Sequence, residues 1–154
     1  MHKISSGLLM YKINDKNLKV FLVHHGGPFW KNKDIGAWSI PKGQVKEKEK
    51  LFDTAKREFV EETGIKLTGK NEFIPLGEVR QKSGKIVHAW AFENDWNGLL
   101  KQNIIEIEYP YNSGKKIKIP EVDKVKLFSI EEAKEKIIPA QREFIERLVE
   151  KLNH

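Results

Sequence analysis

The stretch that decides the fold of this chain is GQVKEKEKLFDTAKREFVEETGI, residues 43 to 65. Apolar side chains in its second half recur at the i, i+3 and i+7 spacing of a helix, as Phe52, Ala55 and Phe59. Gly64 follows as a natural C-terminal stop, because glycine readily adopts the left-handed conformation that ends many helices. The pattern predicts an amphipathic helix from about residue 50 to residue 63.

The predicted helix concentrates negative charge in a chain whose formal net charge is +6. Glu58, Glu61 and Glu62 are close together, with Arg57 beside them, and like charges at this spacing repel by roughly 0.2–0.5 kcal/mol per pair. One interpretation is a solvent-facing charged stripe in which Arg57 pairs with Glu61. The other is a site for a hard divalent cation, because Mg²⁺ takes carboxylate oxygens and bridges them to substrate phosphates.

The residues upstream of the helix favour the cation site. From Gly43 onward the sequence satisfies G-x5-E-x7-R-E-U-x-E-E-x-G-U, where U is apolar, at all nine specified positions. At average residue frequencies, such a match has a chance on the order of 10⁻⁹ per starting position. This stretch resembles the Nudix box, and the chain resembles the Nudix hydrolases. That resemblance implies an α/β/α sandwich around a mixed sheet, and cleavage of a nucleoside diphosphate linked to another group by Mg²⁺ or Mn²⁺ and water.

The resemblance also implies a set of metal ligands. It assigns this role to three carboxylates and one backbone carbonyl, those of Glu58, Glu61, Glu62 and Gly43. A glycine suits the carbonyl position because it lets the backbone approach closely.

Further catalytic roles follow from the same resemblance. Arg57 and Glu49 are expected to form a supporting pair that orients the catalytic carboxylates. A glutamate near the metal can take the proton of the attacking water. Two candidates for this general base stay open, namely Glu61 and, from the later PEVDK segment, Glu121.

Two segments before the box offer substrate contacts. The WSIPKG lead-in, residues 38 to 43, resembles that of Nudix enzymes acting on dinucleoside polyphosphates and diphosphoinositol phosphates. Lys42 is a candidate phosphate ligand there, whereas Trp38 is either a substrate contact or core packing. In GGPFWKNK, residues 26 to 33, Phe29 and Trp30 either stack on a nucleobase or pack against the sheet.

The strand pattern at residues 85 to 95 offers further candidates. Its small residues alternate with larger, partly polar ones, so His88 is either a cleft residue or a hydrogen-bonded core histidine. Arg80 and Gln81 lie near the mouth of any cleft that the preceding hairpin forms.

The rest of the chain predicts strands around the box helix. Strand patterns cover residues 4–12, 18–25, 37–40, 73–81, 85–95, 104–109, 115–119 and 124–129. Turn residues at 82–84 and at 112–114 predict two hairpins, and Ser129 and Pro139 begin two later helices. This order predicts an α/β or α+β sandwich, with a mixed sheet and helices on both faces.

Composition limits the class of protein. The 154 residues, 39% of them hydrophobic and 32% charged, predict a single globular domain spanning 1–154. The absence of cysteine excludes disulfides and thiolate metal sites. No apolar run approaches the ~20 residues of a membrane span, and the uncharged run from Gly7 to Tyr11 is too short for a signal peptide. We therefore expect a cytoplasmic protein with no membrane partner; its oligomeric state stays open.

The positive charge is spread along the chain. Lysines alternate with glutamates, as in KEKEK (46–50), whereas a nucleic-acid arm more often has a block of one sign. The leading prediction is thus a Mg²⁺-dependent pyrophosphohydrolase acting on a nucleotide or polyphosphate such as a dinucleoside polyphosphate. Hydrolysis of the 5′ end of RNA is an alternative that the basic charge leaves open. A non-catalytic nucleotide-binding regulator is another, although such relatives usually lack box glutamates and here none is missing.

Overall fold

A computed structural model describes residues 3–96, 98 and 104–153 of the chain. Along the chain the elements are β1 (Ile4–Asn14), β2 (Asn17–His25), β3 (Trp38–Ser39), β4 (Lys42–Gln44), α1 (Leu51–Thr63), β5 (Ile74–Arg80), β6 (Ile86–Glu93), β7 (Ile104–Glu108), β8 (Lys116–Pro120), β9 (Val122–Ser129), α2 (Ile130–Lys136), a 3₁₀ turn (Pro139–Gln141) and α3 (Arg142–Leu152). The predicted strands and helices are therefore present, with ends shifted by a few residues.

The main sheet has seven strands in the described part of the chain. Its order is β3-β2-β1-β6-β5, with β4 also pairing with β1 and β9 with β2. The β1–β6 pair is parallel and the remaining pairs are antiparallel, which confirms the predicted mixed sheet. Strands β7 and β8 form a separate antiparallel hairpin, in which Ile105 faces Ile119.

Helices cover both faces of the main sheet because its central strands are apolar on both sides. Along β1, Leu8 and Met10 pack in the cluster beneath α1, whereas Leu9 and Tyr11 pack in the cluster beneath α2 and α3. Successive strand residues point to opposite faces, which explains this division. The observed architecture is thus the predicted sandwich.

The α1 helix joins its cluster through the predicted apolar stripe. Ala55 and Phe59 are fully buried, and Phe52 packs at the edge of the cluster. Gly64 ends the helix with φ of 73°, and its N–H donates to the carbonyl of Val60. The stripe therefore fixes which residues of the helix point away from the core.

Two local features differ from the sequence expectations. Residues 42–44 form the short strand β4, antiparallel to β1, which is not among the strands that the sequence predicts. Gly7 of β1 permits this approach, because a side chain there would overlap the carbonyl oxygen of Pro41. The last helix begins with a 3₁₀ turn at Pro139 and becomes α-helical only at Arg142.

No helix in the described ranges has the length and apolar character that crossing a membrane requires.

Candidate active site

The Arg57–Glu49 pair stands at the base of the site. Arg57 Nε donates to Glu49 Oε2 at 2.8 Å, and its Nη2 donates to Oε1 at 3.0 Å. Thr54 Oγ1 donates to the same Oε1 at 2.6 Å. The Arg57 and Thr54 hydrogen bonds lower the pKa of Glu49 to about 2. The loop before α1 is thereby tied to the middle of the helix by charge-assisted bonds.

Arg57 also contacts two of the three box glutamates. Its Nη1 donates to Glu58 Oε1 at 3.0 Å and lies 3.3 Å from Glu61 Oε2. The ion pair of the solvent-facing interpretation is therefore present, and Arg57 offsets part of the repulsion between the two carboxylates. The carboxylates of Glu49 and then Glu58 raise the pKa of Arg57, so the guanidinium stays charged.

Glu58 lies directly against the backbone of β4. A side chain at Gly43 would overlap the carboxyl group of Glu58, so only glycine lets that carboxylate reach this position. The Glu58 side chain is mostly buried by this contact. The structure thus brings Gly43 and Glu58 together.

Glu62 is the buried member of the cluster, with 4% of its surface exposed. Its Oε2 accepts a hydrogen bond from the backbone N–H of Lys42 at 3.1 Å. Burial raises the pKa of Glu62 well above its ordinary value, and the negative charges of Glu121 and Glu58 raise it further. A solvent-facing stripe does not account for a carboxylate in this environment.

The donor set fits a hard divalent cation. Glu58, Glu61 and Glu62 supply carboxylate oxygens, and a cation beside them would offset the repulsion that Glu62 experiences from Glu58 and Glu121. Across residues 3–96, 98 and 104–153, however, no three acidic or histidine side chains already converge at metal-binding distances. Arg57 instead holds Glu58 and Glu61, so those two side chains would have to turn from Arg57 toward an ion.

A cleft of about 660 Å³ adjoins the carboxylates. Its walls come from three distant segments: the loop after β2, the β4–β6 region, and the β7–β8 hairpin. They contribute His25, Phe29 and Trp30; Lys42, Gln81 and Lys85; and Ile105, Ile107, Tyr109, Tyr111 and Ile119. Glu121 also lines it, so Lys42 and Glu121 connect the cleft with the carboxylate cluster.

The polar side of the cleft carries the side chains of Lys42 and Lys85, together with those of Glu108 and Glu121. Burial, helped by the nearby ammonium of Lys85, lowers the pKa of Lys42 to about 8, against the opposing effects of Glu62 and Glu58. Burial and the Lys42 charge lower the pKa of His25 to about 4, so this imidazole is neutral at pH 7. Two lysines in one partly enclosed cleft favour an anionic ligand.

The opposite side is aromatic. Residues 26 to 33, named here the aromatic loop, carry Phe29 and Trp30, whose ring centroids are 5.1 Å apart. Phe29 is 67% exposed, and neither ring belongs to the two core clusters. Both rings therefore line the cleft, and their stacking on a nucleobase stays a prediction.

Other predicted contacts lie outside the cleft. Trp38 is 6% exposed and packs in the core against Phe128, so core packing is what the structure shows for it. His88 belongs to the face of β6 that is directed toward α1, and Arg80 ends β5. Neither is among the residues that line the cleft, although Gln81 is.

Several cleft residues escaped the sequence analysis. Lys85 follows the hairpin turn, and Tyr109 and Tyr111 lie at the tip of the β7–β8 hairpin. The sequence did offer one signal for the tyrosines, namely two aromatic residues beside a predicted turn. Large aromatic side chains are seldom left exposed, and Tyr111 is 87% exposed.

The mixed sheet, covered by helices on both faces, carries the box residues on β4 and α1. The NUDIX domain profile matches residues 1–148, and the chain belongs to the Nudix family. This confirms the predicted resemblance to the Nudix family. Nudix hydrolase 6 of Arabidopsis thaliana is 41% identical over 66 residues, which are 42% of this chain and 22% of the Arabidopsis protein.

Solved structures share the fold. A Caenorhabditis elegans Ap4A hydrolase in a binary complex has a TM-score of 0.70 at 18% identity, covering 97% of this chain and 98% of its own. The NUDIX domain of Shewanella oneidensis NrtR complexed with ADP ribose has a TM-score of 0.66 at 18% identity, and the match covers 99% of this chain and 89% of the NrtR domain chain. The MutT protein from Methanosarcina mazei Go1 has a TM-score of 0.62 at 22% identity, and the match covers 99% of this chain and 96% of the MutT chain.

Proposed function

We propose that this protein is a Mg²⁺- or Mn²⁺-dependent pyrophosphohydrolase that cleaves a phosphoanhydride bond in a nucleoside diphosphate linked to another group. One observation carries the proposal: the lysine- and aromatic-lined cleft meets the box carboxylates at Lys42 and Glu121. A ligand in this cleft would place its phosphates beside the carboxylates and its base beside the aromatic loop.

The box residues would divide the work at the reacting phosphate. Glu58, Glu61, Glu62 and the Gly43 carbonyl would hold the metal. When bound, the metal neutralises phosphate charge and lowers the pKa of a bound water. Glu49 holds the guanidinium of Arg57, and Arg57 in turn positions the carboxylates of Glu58 and Glu61 before the metal binds.

Two carboxylates remain candidates for taking the proton of the attacking water. Glu61 is half exposed and contacts Arg57 at the surface of α1, so it is free to turn. Glu121 lines the cleft and lies close enough to Glu62 to raise its pKa. A Glu61→Gln and a Glu121→Gln variant distinguish them, because only the variant lacking the base loses the low-pH limb of the rate profile, where the rate rises as the base is deprotonated.

The chemistry of the cleft favours a nucleotide with an extended phosphate chain. Lys42 and Lys85 suit two or more phosphate groups, whereas Phe29 and Trp30 offer faces and edges for a nucleobase. The fold neighbours agree with this class, since one is an Ap4A hydrolase and another is complexed with ADP ribose. Dinucleoside polyphosphates are our leading substrates, with nucleoside triphosphates next.

A substrate panel tests the proposal. The protein is incubated with dinucleoside polyphosphates, nucleoside triphosphates, ADP-ribose, triphosphorylated RNA and a diphosphoinositol phosphate, each with Mg²⁺ or EDTA, and the products are resolved by ion-exchange chromatography. The Glu62→Gln variant serves as the background control. We expect Mg²⁺-dependent release of a nucleoside phosphate. Binding without turnover of any nucleotide would instead identify a regulator, and preference for the inositol phosphate would refute the nucleotide assignment.

A further inference from the structure

A buried histidine that takes no part in the proposed chemistry links the sheet to the aromatic loop. His24 is 1% exposed near the end of β2. Its Nδ1 lies 2.8 Å from Asp123 Oδ1, and its Nε2 lies 2.7 Å from the backbone carbonyl of Lys33. A backbone carbonyl only accepts hydrogen bonds, so Nε2–H donates to Lys33, while Nδ1 pairs with the Asp123 carboxylate.

The residue whose carbonyl contacts His24, Lys33, is the last residue of two hydrogen-bonded turns in the aromatic loop. The Trp30 N–H donates to Gly27 and the Lys33 N–H donates to Trp30, so two successive turns end at Lys33. The Lys33 ammonium lies 3.6 Å from the ring centroid of Phe29 and 5.4 Å from that of Trp30. Fixing the backbone of Lys33 therefore also fixes a cation over both rings.

Asp123 anchors this arrangement on a different strand. It belongs to β9, which pairs with β2 through the neighbouring residues, and its side chain is 26% exposed. The contacts thus run from β9 through His24 to Lys33, and from Lys33 to the two aromatic rings of the cleft. Both rings lie in the connection between β2 and β3, where Trp30 also contacts His25 at a ring-centroid distance of 5.7 Å.

We propose that His24 is a positioning residue for the ligand-binding cleft: clamped by Asp123, it holds Lys33 and thereby keeps Phe29 and Trp30 oriented toward the base. The ligand in this statement rests on the proposed function, whereas the loop contact does not. Because His24 contacts only the protein's own residues and none of the box carboxylates, its loss should affect substrate affinity rather than the chemical step.

The competing explanation is that His24 only fills space against Trp38, whose ring centroid is 5.3 Å away. The His24→Phe variant separates the positioning role from simple packing, because it keeps a ring against Trp38 and removes both ring nitrogens. Lys33→Met is the matched control, since it removes the ammonium over Phe29 and Trp30 but keeps the backbone carbonyl.

The first measurement is hydrogen exchange of the full-length protein, followed by mass spectrometry. We expect His24→Phe to speed exchange in residues 26 to 33 by about 2- to 10-fold, as for loss of one net hydrogen bond, with α3 unchanged as internal reference. Unchanged exchange in the aromatic loop would overturn the inference. Equal acceleration in α3 would also overturn it, because His24 would then be ordinary core.

The second measurement is steady-state kinetics with a dinucleoside polyphosphate. His24→Phe is expected to raise KM about 5-fold with kcat within twofold, and Lys33→Met to raise KM less. An unchanged KM, or a loss confined to kcat, would contradict the positioning role. If no substrate is hydrolysed by the wild type, the proposed function has failed, and the exchange comparison alone decides on His24.

A second pair of variants covers the case in which His24→Phe does not fold. Asp123→Ala removes the anchor at a partly exposed position, and the same acceleration of loop exchange is expected. Asp123→Asn should restore protection, because its amide can donate to Nδ1 while Nε2–H still donates to Lys33. Loop exchange that is the same in Asp123→Ala, Asp123→Asn and the wild type would refute the clamp.

Discussion

The carboxylate of Glu62, on α1, accepts a hydrogen bond from the backbone N–H of Lys42, on β4, at 3.1 Å. One contact therefore joins the most buried acid of the box to the residue that continues into the cleft. The backbone N–H of Lys42 binds the carboxylate of Glu62, while the side chain of Lys42 lines the cleft.

The Glu62→Gln variant should lose at least about a hundredfold in kcat, as for removal of a group that holds transition-state charge. Its fold should survive, because a neutral amide avoids burying a charge next to Glu58 and Glu121 and can still accept from Lys42. Kinetics in Mg²⁺ and thermal unfolding in EDTA measure the two effects. A near wild-type rate would show that Glu62 holds no metal.

The Glu49→Gln variant should lose less kcat than Glu62→Gln, about 10- to 100-fold, because Glu49 acts on the site through Arg57. Steady-state rates of the two variants, measured side by side, give the comparison. A loss as large as that of Glu62→Gln would place Glu49 in direct contact with metal or water.

Glu49 also predicts an acid sensitivity. Its pKa is lowered from 4.5 to about 2 by Arg57 and Thr54, so the folded state favours the charged carboxylate more than the unfolded state does. This stabilisation is complete above pH 4.5 and is lost as the pH falls through about 2. Urea unfolding across this range should show the stability difference between wild type and Glu49→Gln shrinking toward acid pH; a constant difference would contradict the pairing.

The Gly43→Ala variant should lose activity through geometry alone. Its methyl group would overlap the carboxyl of Glu58, which must then leave the backbone of β4. Overpacking of this kind costs about 1–3 kcal/mol of stability. Gly69→Ala is a suitable control, since nothing lies within 4 Å of a side chain there. Equal activity of the two variants would show that Glu58 does not need this position.

Two tryptophans should respond differently to the same substitution. Trp30→Ala should raise KM about 10-fold or more at similar kcat, because a stacking contact is worth about 1–3 kcal/mol. Trp38→Ala should instead lower the free energy of unfolding by about 3–5 kcal/mol, since Trp38 packs in the core against Phe128. Chemical unfolding and kinetics on both variants test the contrast; unfolding by Trp30→Ala would assign that residue to the core instead.

The box and its helix were predictable because their signals are local. The spacing of Arg57, Glu58 and Glu62 along one helix needs only the chain between residues 57 and 62. The pairing of Arg57 with Glu49 was implied by the resemblance to the Nudix box, and the structure contains it. The strand alternation likewise sufficed for the two faces of the sheet. Local pattern therefore accounts for the sandwich and for the carboxylate cluster.

The cleft was much less predictable because three remote segments build it. Nothing near Lys85 or Tyr111 in the sequence indicates that they face Trp30 across one cavity. Trp38 and His88 show the same limit, since their surroundings depend on which face their strands present to neighbouring elements. The short strand β4 was missed because three residues carry no measurable period.

The position of β1 has a consequence for how the protein is made. β1 lies between β4 and β2 on one side and β6 on the other, and its pairing with β6 is parallel, so Ile4 meets Ile86. A ribosome releases β1, β2 and the box helix first, while the β6 edge of β1 still presents unpaired N–H and C=O groups. The nascent chain thus carries every box residue before it has the sheet that holds them together. The site is completed by a strand that contributes no box residue.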